Sequence, residues 1–109
     1  MKIETLSVFP QCYDSVMNES IMRIAQEKGF LDFKAHDLRT HDKHRTTDDE
    51  PYGGGQGLVM KCEPIFEATD ELFSSALKKP YVIFLSPTGE RFDDAMTLEL
   101  AQQDHLFFI

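Results

Sequence analysis

The residues with the greatest capacity for chemistry are concentrated between His41 and Met60, in the stretch HDKHRTTDDEPYGGGQGLVM. This stretch holds two histidines, two bases, a run of three acids and four glycines, and no amphipathic period fits it. A polar loop of this length within a small domain is typically either functional or disordered. Its order of charged, aromatic and glycine-rich parts favours a functional loop.

The glycine-rich segment 53–57 could bring backbone amides close to a phosphate or a base. It is not a Walker A loop, because no Lys-Ser/Thr pair follows Gly57. It is not a dinucleotide-binding fingerprint either, because no predicted strand feeds it and no predicted helix begins at Gly57. A flexible hinge and a functional backbone site both remain open for this segment.

The histidines near the loop are candidate metal ligands. His36, His41 and His44, with Asp37 and Asp42 between them, could in principle ligate zinc. Their spacings match no common zinc site, and a carboxylate-rich set of this kind is a loose one. We therefore favour exposed loop histidines beside a polyanion site, and we expect no metal.

The acids and the tyrosine of the loop each allow two interpretations. The carboxylates of Asp48, Asp49 and Glu50 could supply a general base or magnesium ligands, or they could form a solvated acidic turn before Pro51. Tyr52 could stack on a base or pack the loop against the domain, and the sequence leaves both open.

A second candidate site is the turn Ser86-Pro87-Thr88-Gly89, which follows the apolar run YVIFL. Open α/β sheets bind small ligands at the carboxyl ends of their strands, where such a turn would lie. Its small residues would let backbone groups contact a nucleoside. An ordinary strand-to-helix turn is the alternative.

The rest of the sequence predicts the elements that position these two segments. Apolar runs predict strands over 3–8, 30–35, 81–85 and 105–109, with 81–85 covered on both faces. Amphipathic spacing predicts a helix that starts near Tyr13, ends at Gly29 and could be divided at Asn18 to Ser20. It also predicts a helix over 64–76 and one from a cap at Asp93 or Asp94 to Leu100. Strands alternating with single crossover helices predict an α/β fold, a mainly parallel sheet with helices on both faces.

Composition limits the class of protein. The 109 residues allow one domain or part of one, and the end of the chain on a core-type strand predicts a fragment of a longer protein. The net charge of −8 argues against non-specific nucleic-acid binding over the whole surface. No apolar run approaches the roughly 20 residues of a membrane span, so we expect a cytoplasmic protein. Cys12 and Cys62 are expected to be reduced.

The two segments together resemble a known family. RTTDDEPYGGGQGLVM, preceded by HDKH and followed after about thirty residues by LSPTG, strongly resembles the bacterial tRNA (guanine-N1)-methyltransferases. The VFP ending of the first strand and the segment QEKGFLDF are similar to that family as well. The resemblance covers essentially all 109 residues, and DDxPYGGGxGxxM is its most specific part.

The resemblance implies a homodimeric SPOUT-type enzyme with an S-adenosyl-L-methionine (AdoMet) domain tied in a trefoil knot and a helical C-terminal domain. It implies methyl transfer to N1 of the guanine 3′-adjacent to the anticodon, so the expected partner is the tRNA anticodon stem-loop, with no DNA or membrane partner. It implies that tRNA contacts come from one set of residues, namely His44, Arg45, Asp49, Tyr52, Gly53, Gly54 and Gly55. It implies that the AdoMet pocket is lined by Leu85, Ser86, Pro87 and Gly89.

The chain departs from the family pattern after HLFFI, where the family continues with a CGRYEG-like segment and the rest of the knot. Residues 1–109 are therefore expected to be the N-terminal portion of the methyltransferase domain, with 41–60 as its loop on the tRNA side. The general base and a catalytic arginine are expected C-terminal to Ile109, so the fragment alone should be inactive. Thr88 also stands where the family commonly has a polar residue such as Gln.

Two other functions compete with the methyltransferase hypothesis. One is a non-catalytic RNA- or nucleotide-binding module from a truncated gene. The other is a histidine- and carboxylate-based metallohydrolase, for which the spacing of the histidines gives little support.

Overall fold

The computed structural model describes residues 1–41, 45–74, 76 and 78–109. These residues form two compact units, one made of Met1–His36 and Pro80–Ile109 and the other of Asp37–Lys79. We call them unit 1 and unit 2.

Within the described ranges the chain forms six strands and four α-helices. In order along the chain these are β1 (Lys2–Ser7), α1 (Asp14–Met17), α2 (Ser20–Glu27), β2 (Asp32–Asp37), β3 (Asp48–Asp49), β4 (Val59–Met60), α3 (Glu63–Ser74), β5 (Tyr81–Ile83), α4 (Asp94–Leu100) and β6 (His105–Phe108). One short 3-10 helix, Pro10–Tyr13, precedes α1, and another, Leu38–His41, follows β2.

The four strands of unit 1 form one sheet in the order β2-β1-β6-β5. β6 lies between β1 and β5 and pairs in parallel with both, with Leu106 opposite Ile3 on one side and Tyr81 on the other. The last strand of the chain therefore occupies the interior of the sheet. This arrangement confirms the predicted α/β fold with a mainly parallel sheet.

The helical segment after β1 is divided where the sequence predicted a break. α1 ends at Met17, and α2 begins at Ser20 and is closed by Gly29, whose φ of 73° places it in the left-handed region. The amide of Phe30 donates to the carbonyl of Ala25, as in a helix C-terminal cap. Met17 is buried, whereas Ile21 is 73% exposed, so the apolar face of α2 is less buried than its spacing predicts.

The prediction that residues 81–85 form a strand covered on both faces is wrong. β5 ends at Ile83, and Tyr81 and Val82 are 43% and 45% exposed because β5 lies at the edge of the sheet. A run of apolar residues gives a strand buried on both sides only when other elements cover both faces of the sheet at that strand. Phe84 and Leu85 continue beyond the strand as exposed residues.

Unit 2 combines a helix with a two-stranded ribbon. α3 packs against the 3-10 helix Leu38–His41, and Leu38, Pro64 and Ala68 are buried. Pro64 lies in the first turn of α3, where its missing N–H is not needed. β3 and β4 pair antiparallel and enclose the glycine-rich segment between them. Residues 45–47 and 50–58 of the loop predicted between His41 and Met60 have no strand or helix of their own.

Among the described residues, no helix has both the length and the apolar character needed to cross a membrane.

Candidate functional site

A cavity of about 650 Å³ lies in unit 1 on one face of the sheet. Its floor is formed by neighbouring strands, because Ile3, Leu106 and Phe108 point to the same side through the alternation of β1 and β6. α4 forms a wall through Met96 and Leu100. The segment that follows β5 completes the cavity. The cavity therefore lies beside the turn Ser86-Pro87-Thr88-Gly89, the second candidate site in the sequence.

The turn after β5 is held by hydrogen bonds among its own residues. The Gly89 amide donates to the Ser86 carbonyl at 3.1 Å, and the Thr88 amide donates to Ser86 Oγ at 3.3 Å. Ser86 Oγ and Thr88 Oγ1 are 3.1 Å apart. A Cβ at residue 89 would lie 3.2 Å from the Ser86 carbonyl oxygen, a tight contact that glycine avoids.

The cavity wall made by α4 depends on a side-chain cap. Asp93 is the N-cap residue, and its Oδ1 accepts a hydrogen bond of 2.9 Å from the Met96 amide. The sequence predicted a cap at Asp93 or Asp94, and the structure assigns it to Asp93. The cap fixes the first turn of α4 and so orients Met96, which lines the cavity.

Three of the four residues expected to bind AdoMet line this cavity, namely Leu85, Ser86 and Gly89. Pro87 belongs to the same turn but is not among the lining residues. The cavity is also lined by Phe84, Phe92 and Glu90, which no motif in the sequence marks as site residues. Phe92 and Glu90 lie in an irregular segment, where no periodicity marks them.

The glycine-rich loop in unit 2 is closed at its base by the ribbon. Asp48 pairs with Met60 and Asp49 with Val59, and the Lys61 amide donates to the Thr47 carbonyl at 2.8 Å. The chain therefore enters the loop from β3 and returns through β4 at a neighbouring position. The loop is presented as a hairpin of irregular backbone, with its ends held together.

The glycines of this loop are required by backbone conformation rather than by lack of space. Positive φ angles occur at Gly53 (85°), Gly54 (80°), Gly55 (137°) and Gly57 (94°). A Cβ at any of them would meet no other atom within 4 Å in the described structure. L-residues adopt these angles at a cost, so the segment keeps a specific shape while its surface stays open.

Tyr52 is fully exposed, so it does not pack the loop against the domain. It lines a cavity of about 580 Å³ together with Asp49, Val59 and Met60. Of the two interpretations left open by the sequence, the structure leaves the ring available for stacking. Asp49, another residue expected to contact tRNA, lies at the same groove.

The expected tRNA-contact residues before the ribbon are placed only in part. Arg45 is exposed and has a φ of 57°, a left-handed backbone conformation that non-glycine residues adopt rarely. Such conformations are concentrated at functional sites and switch regions. His44 lies outside the residues that the structure describes, as do Asp42 and Lys43.

The interpretation of His36 as an exposed loop histidine is wrong. His36 belongs to β2 and is buried, and its Nε2 lies 2.8 Å from Glu4 Oε1. His41 is paired with Glu71, with 3.2 Å between Nδ1 and Oε2. Within the ranges 1–41, 45–74, 76 and 78–109, no three His, Cys, Asp or Glu side chains are grouped as metal ligands.

A buried polar network surrounds Glu4, and no local pattern in the sequence indicates it. Glu4 is 7% exposed, and its carboxylate accepts from His36 at Oε1 and from His105 at Oε2, the latter at 2.7 Å. Lys2 Nζ lies 2.7 Å from the same Oε2. An ionised carboxylate only accepts hydrogen bonds, so each histidine presents a protonated Nε2.

These contacts determine the ionisation of Glu4. Burial raises the pKa of Glu4, but the hydrogen bonds from Lys2 and His36, the charge of Lys2 and the hydrogen bond from His105 outweigh it. Together they lower the pKa from 4.5 to about 2. Glu4 is therefore ionised throughout the physiological range. The network joins β1 to both of its neighbouring strands in the sheet.

The chain is an α/β protein whose mainly parallel sheet has a ligand-sized cavity beside a strand-to-turn junction, the place where open α/β sheets commonly bind small ligands. The chain belongs to the family described as tRNA (Guanine-1)-methyltransferase TrmD, whose model matches residues 1–109. Family membership therefore rests on the whole chain rather than on one motif, and it confirms the resemblance.

Named relatives give the same assignment. The tRNA (guanine-N(1)-)-methyltransferase of Bacillus pumilus is 43% identical over 111 residues, covering 100% of this chain and 46% of the relative. That of Clavibacter sepedonicus is 47% identical over 110 residues, covering 99% of this chain and 47% of the relative. The chain thus spans about half the length of the curated relatives that it matches.

A solved structure shares the fold. The crystal structure of tRNA (m1G37) methyltransferase from Aquifex aeolicus superposes with a TM-score of 0.90 at 31% sequence identity. The superposition covers 100% of this chain and 50% of that protein. The described elements therefore correspond to half of the chain of that methyltransferase.

Proposed function

We propose that this chain is the N-terminal half of an AdoMet-dependent methyltransferase acting on N1 of the tRNA guanine 3′-adjacent to the anticodon. The observation that carries the proposal is the family match over residues 1–109, which includes both candidate sites. The names of the relatives support the substrate and the reaction. Their length, about twice that of the chain, supports a further half in what we call the parent enzyme.

The unit 1 cavity is the proposed AdoMet site. Its volume of about 650 Å³ falls within the range of roughly 300–1,000 Å³ typical of small-molecule pockets. Leu85, Ser86 and Gly89 would contact the cofactor from the turn, and Pro87 would hold the shape of that turn. Bound AdoMet would supply an electrophilic methyl group attached to a positively charged sulfur.

The glycine-rich loop is the proposed tRNA-binding segment. Tyr52 offers an exposed ring for stacking on an unpaired base, and Arg45 offers a guanidinium for a phosphate. Gly53, Gly54 and Gly55 are exposed, so their backbone can approach RNA closely, although the Gly54 amide itself donates to the Pro51 carbonyl at 3.1 Å. We include His44 and Asp49 in this surface on the strength of the family resemblance.

The reaction divides the work between these sites and a base. N1 of guanine carries a proton that must leave as the methyl group arrives in line from the sulfonium, so a carboxylate close to the N1 proton is needed. We place that base C-terminal to Ile109, in the second half of the parent enzyme. Residues of this chain would bind and orient the cofactor and the target guanine, and would hold the methyl group close to N1.

The remaining expectations of the family resemblance belong to the same proposal. They are a homodimeric parent enzyme, a cytoplasmic location and a trefoil knot completed after β6. Each follows from the resemblance. On the parent enzyme, light scattering tests the homodimer, fractionation of cells tests the cytoplasmic location, and crystallography tests the knot.

Two measurements on the parent enzyme test the proposal. Isothermal calorimetry should detect AdoMet binding, and labelled AdoMet should methylate a tRNA transcript with guanine 3′ of the anticodon. A matched transcript with adenine at that position should accept no label. A parent enzyme that binds tRNA but ignores AdoMet would instead support the non-catalytic RNA-binding module.

A further inference from the structure

The unit 1 cavity has an uneven chemical character. Its walls are largely apolar, and three of its lining side chains are the aromatic rings of Phe84, Phe92 and Phe108. Glu90 supplies the single ionisable side chain among the described residues that line it. The amino group of Met1, which also lines the cavity, donates to the Phe30 carbonyl at 3.1 Å.

The carboxylate of Glu90 is available to a ligand. In the part of the chain that the structure describes, no hydrogen bond or ion pair engages it, and the residue is exposed at the cavity. Its neighbour Arg91 forms no ion pair with it there. A negative charge at the rim of an apolar cavity attracts a positive ligand more strongly than the same charge in open water.

The aromatic rings favour the same kind of ligand. The face of a phenyl ring carries negative electrostatic potential, so cations held within about 6 Å of the ring centre are attracted to it. Phe84 and Phe92 are both in the segment that contains Glu90 and line the same cavity. A carboxylate combined with aromatic walls is a typical receptor for a cationic group with a hydrophobic surround.

We propose that Glu90, with Phe84 and Phe92, makes this cavity select its cofactor by charge. AdoMet carries a sulfonium, whereas its demethylated product S-adenosyl-L-homocysteine carries a neutral thioether and is otherwise nearly identical. Glu90 therefore acts as a specificity residue that favours the methyl donor over the spent product. This inference rests on the proposed function, because it assumes that the cavity holds AdoMet.

Charge selection would have a consequence for turnover. Methyl transfer removes the positive charge from sulfur, so the attraction to Glu90 and to the rings is lost at that moment. The product is then held less tightly than the substrate was, and the next AdoMet can replace it. The cavity would thus assist product release without any change in its shape.

The test compares Glu90→Gln with the unchanged protein, in the 109-residue chain and in the parent enzyme. Calorimetry gives the dissociation constants of AdoMet and of S-adenosyl-L-homocysteine, and their ratio is the readout. We expect the preference for AdoMet to fall about fivefold in Glu90→Gln, chiefly through weaker AdoMet binding. In the unchanged protein the preference should also shrink as salt is raised from low to physiological concentration and above.

Glu99→Gln is the matched control, because Glu99 is an exposed carboxylate on α4 that does not line the cavity. It makes the same change of charge in the same unit, and it should leave the ratio unchanged. A ratio also unchanged in Glu90→Gln, or equal weakening of both ligands, would overturn the charge-selection proposal while the AdoMet assignment stands. If neither protein binds either ligand, the proposed function itself fails and the inference falls with it.

Discussion

Glu4 and His105 are 101 residues apart in the chain, yet Glu4 Oε2 lies 2.7 Å from His105 Nε2. The contact joins β1 to β6, the strand that occupies the interior of the sheet beside it. The second oxygen of the same carboxylate is held by His36 on β2. A single buried side chain therefore links three neighbouring strands.

The depressed pKa of Glu4 predicts a specific pH dependence of stability. Because the folded pKa, about 2, lies below the usual 4.5, the stabilisation is fully present above pH 4.5 and is lost as pH falls through 2. The shift corresponds to about 3 kcal/mol of unfolding free energy at neutral pH. Glu4→Gln should therefore be less stable in urea at pH 7 by about that amount.

The difference in unfolding free energy between Glu4→Gln and the unchanged protein should become steadily smaller as the pH is lowered from 4.5 to 2. Glu99→Gln controls for removal of a carboxylate, since Glu99 is exposed and should change stability by less than about 0.5 kcal/mol. A constant gap across the pH range would show that Glu4 acts through packing and not through its charge.

The cap of α4 should affect both stability and cofactor binding. Asp93→Ala removes the acceptor for the Met96 amide and should cost about 1 kcal/mol in urea unfolding. The first turn of α4 lines the unit 1 cavity, so AdoMet affinity measured by calorimetry should fall as well. Asp94→Ala, one residue later and without the capping bond, should have a smaller effect on both quantities. Equal effects of the two changes would contradict the assignment of the cap.

Gly54→Ala tests whether the loop acts through its backbone. Gly54 has a φ of 80°, which costs an alanine about 1–2 kcal/mol, although no atom would clash with the new methyl group. We expect slower methyl transfer by the parent enzyme with AdoMet affinity unchanged, because Gly54 is not among the residues that line the unit 1 cavity. Unchanged turnover would show that the glycine segment acts only as a flexible hinge.

Gly89→Ala should show the opposite pattern. A Cβ at residue 89 lies 3.2 Å from the Ser86 carbonyl oxygen, so the turn beside the cavity must shift to admit it. AdoMet affinity should therefore fall first, while tRNA binding measured in a gel-shift assay without cofactor stays the same. Loss of tRNA binding with intact AdoMet binding would reverse the assignment of the two sites.

Tyr52 should contribute to tRNA binding and not to folding. Its ring is fully exposed, so Tyr52→Ala should leave thermal unfolding unchanged. Base–aromatic stacking is worth about 1–3 kcal/mol, so tRNA affinity should weaken by roughly tenfold or more. Tyr52→Phe keeps the stacking surface and should bind nearly as the unchanged protein does. Equal affinity in Tyr52→Ala would remove the ring from the RNA surface.

The sequence was sufficient for those features that local patterns encode. Apolar runs predicted the strands of the sheet, Gly29 marked the end of α2, and the residue types at 93 and 94 predicted a capped helix. The turn Ser86–Gly89 was marked by its place after a strand and by the family resemblance. In each case the signal lies within a few residues of the feature.

Features that depend on distant partners could not be predicted in this way. Nothing in the sequence around Glu4 indicates that His36 and His105, 32 and 101 residues away, will satisfy a buried carboxylate. The exposure of Val82 depends on the strand order, which leaves β5 at the edge. Glu90 has no sequence signal, because the segment between β5 and α4 has no period that marks which side chains face the cavity.

The parallel pairing of β1 with β6 also has a consequence for synthesis on the ribosome. β1 is translated well before β6, its partner on one side, and all the other described strands and helices lie between the two in sequence. Because non-local pairings form only after the intervening chain has been made, the sheet of unit 1 must wait for that strand. Unit 2 is one continuous segment, Asp37–Lys79, and can fold earlier. Until β6 arrives, the nascent chain exposes the apolar side of an unfinished sheet, the state in which chaperones would be needed most.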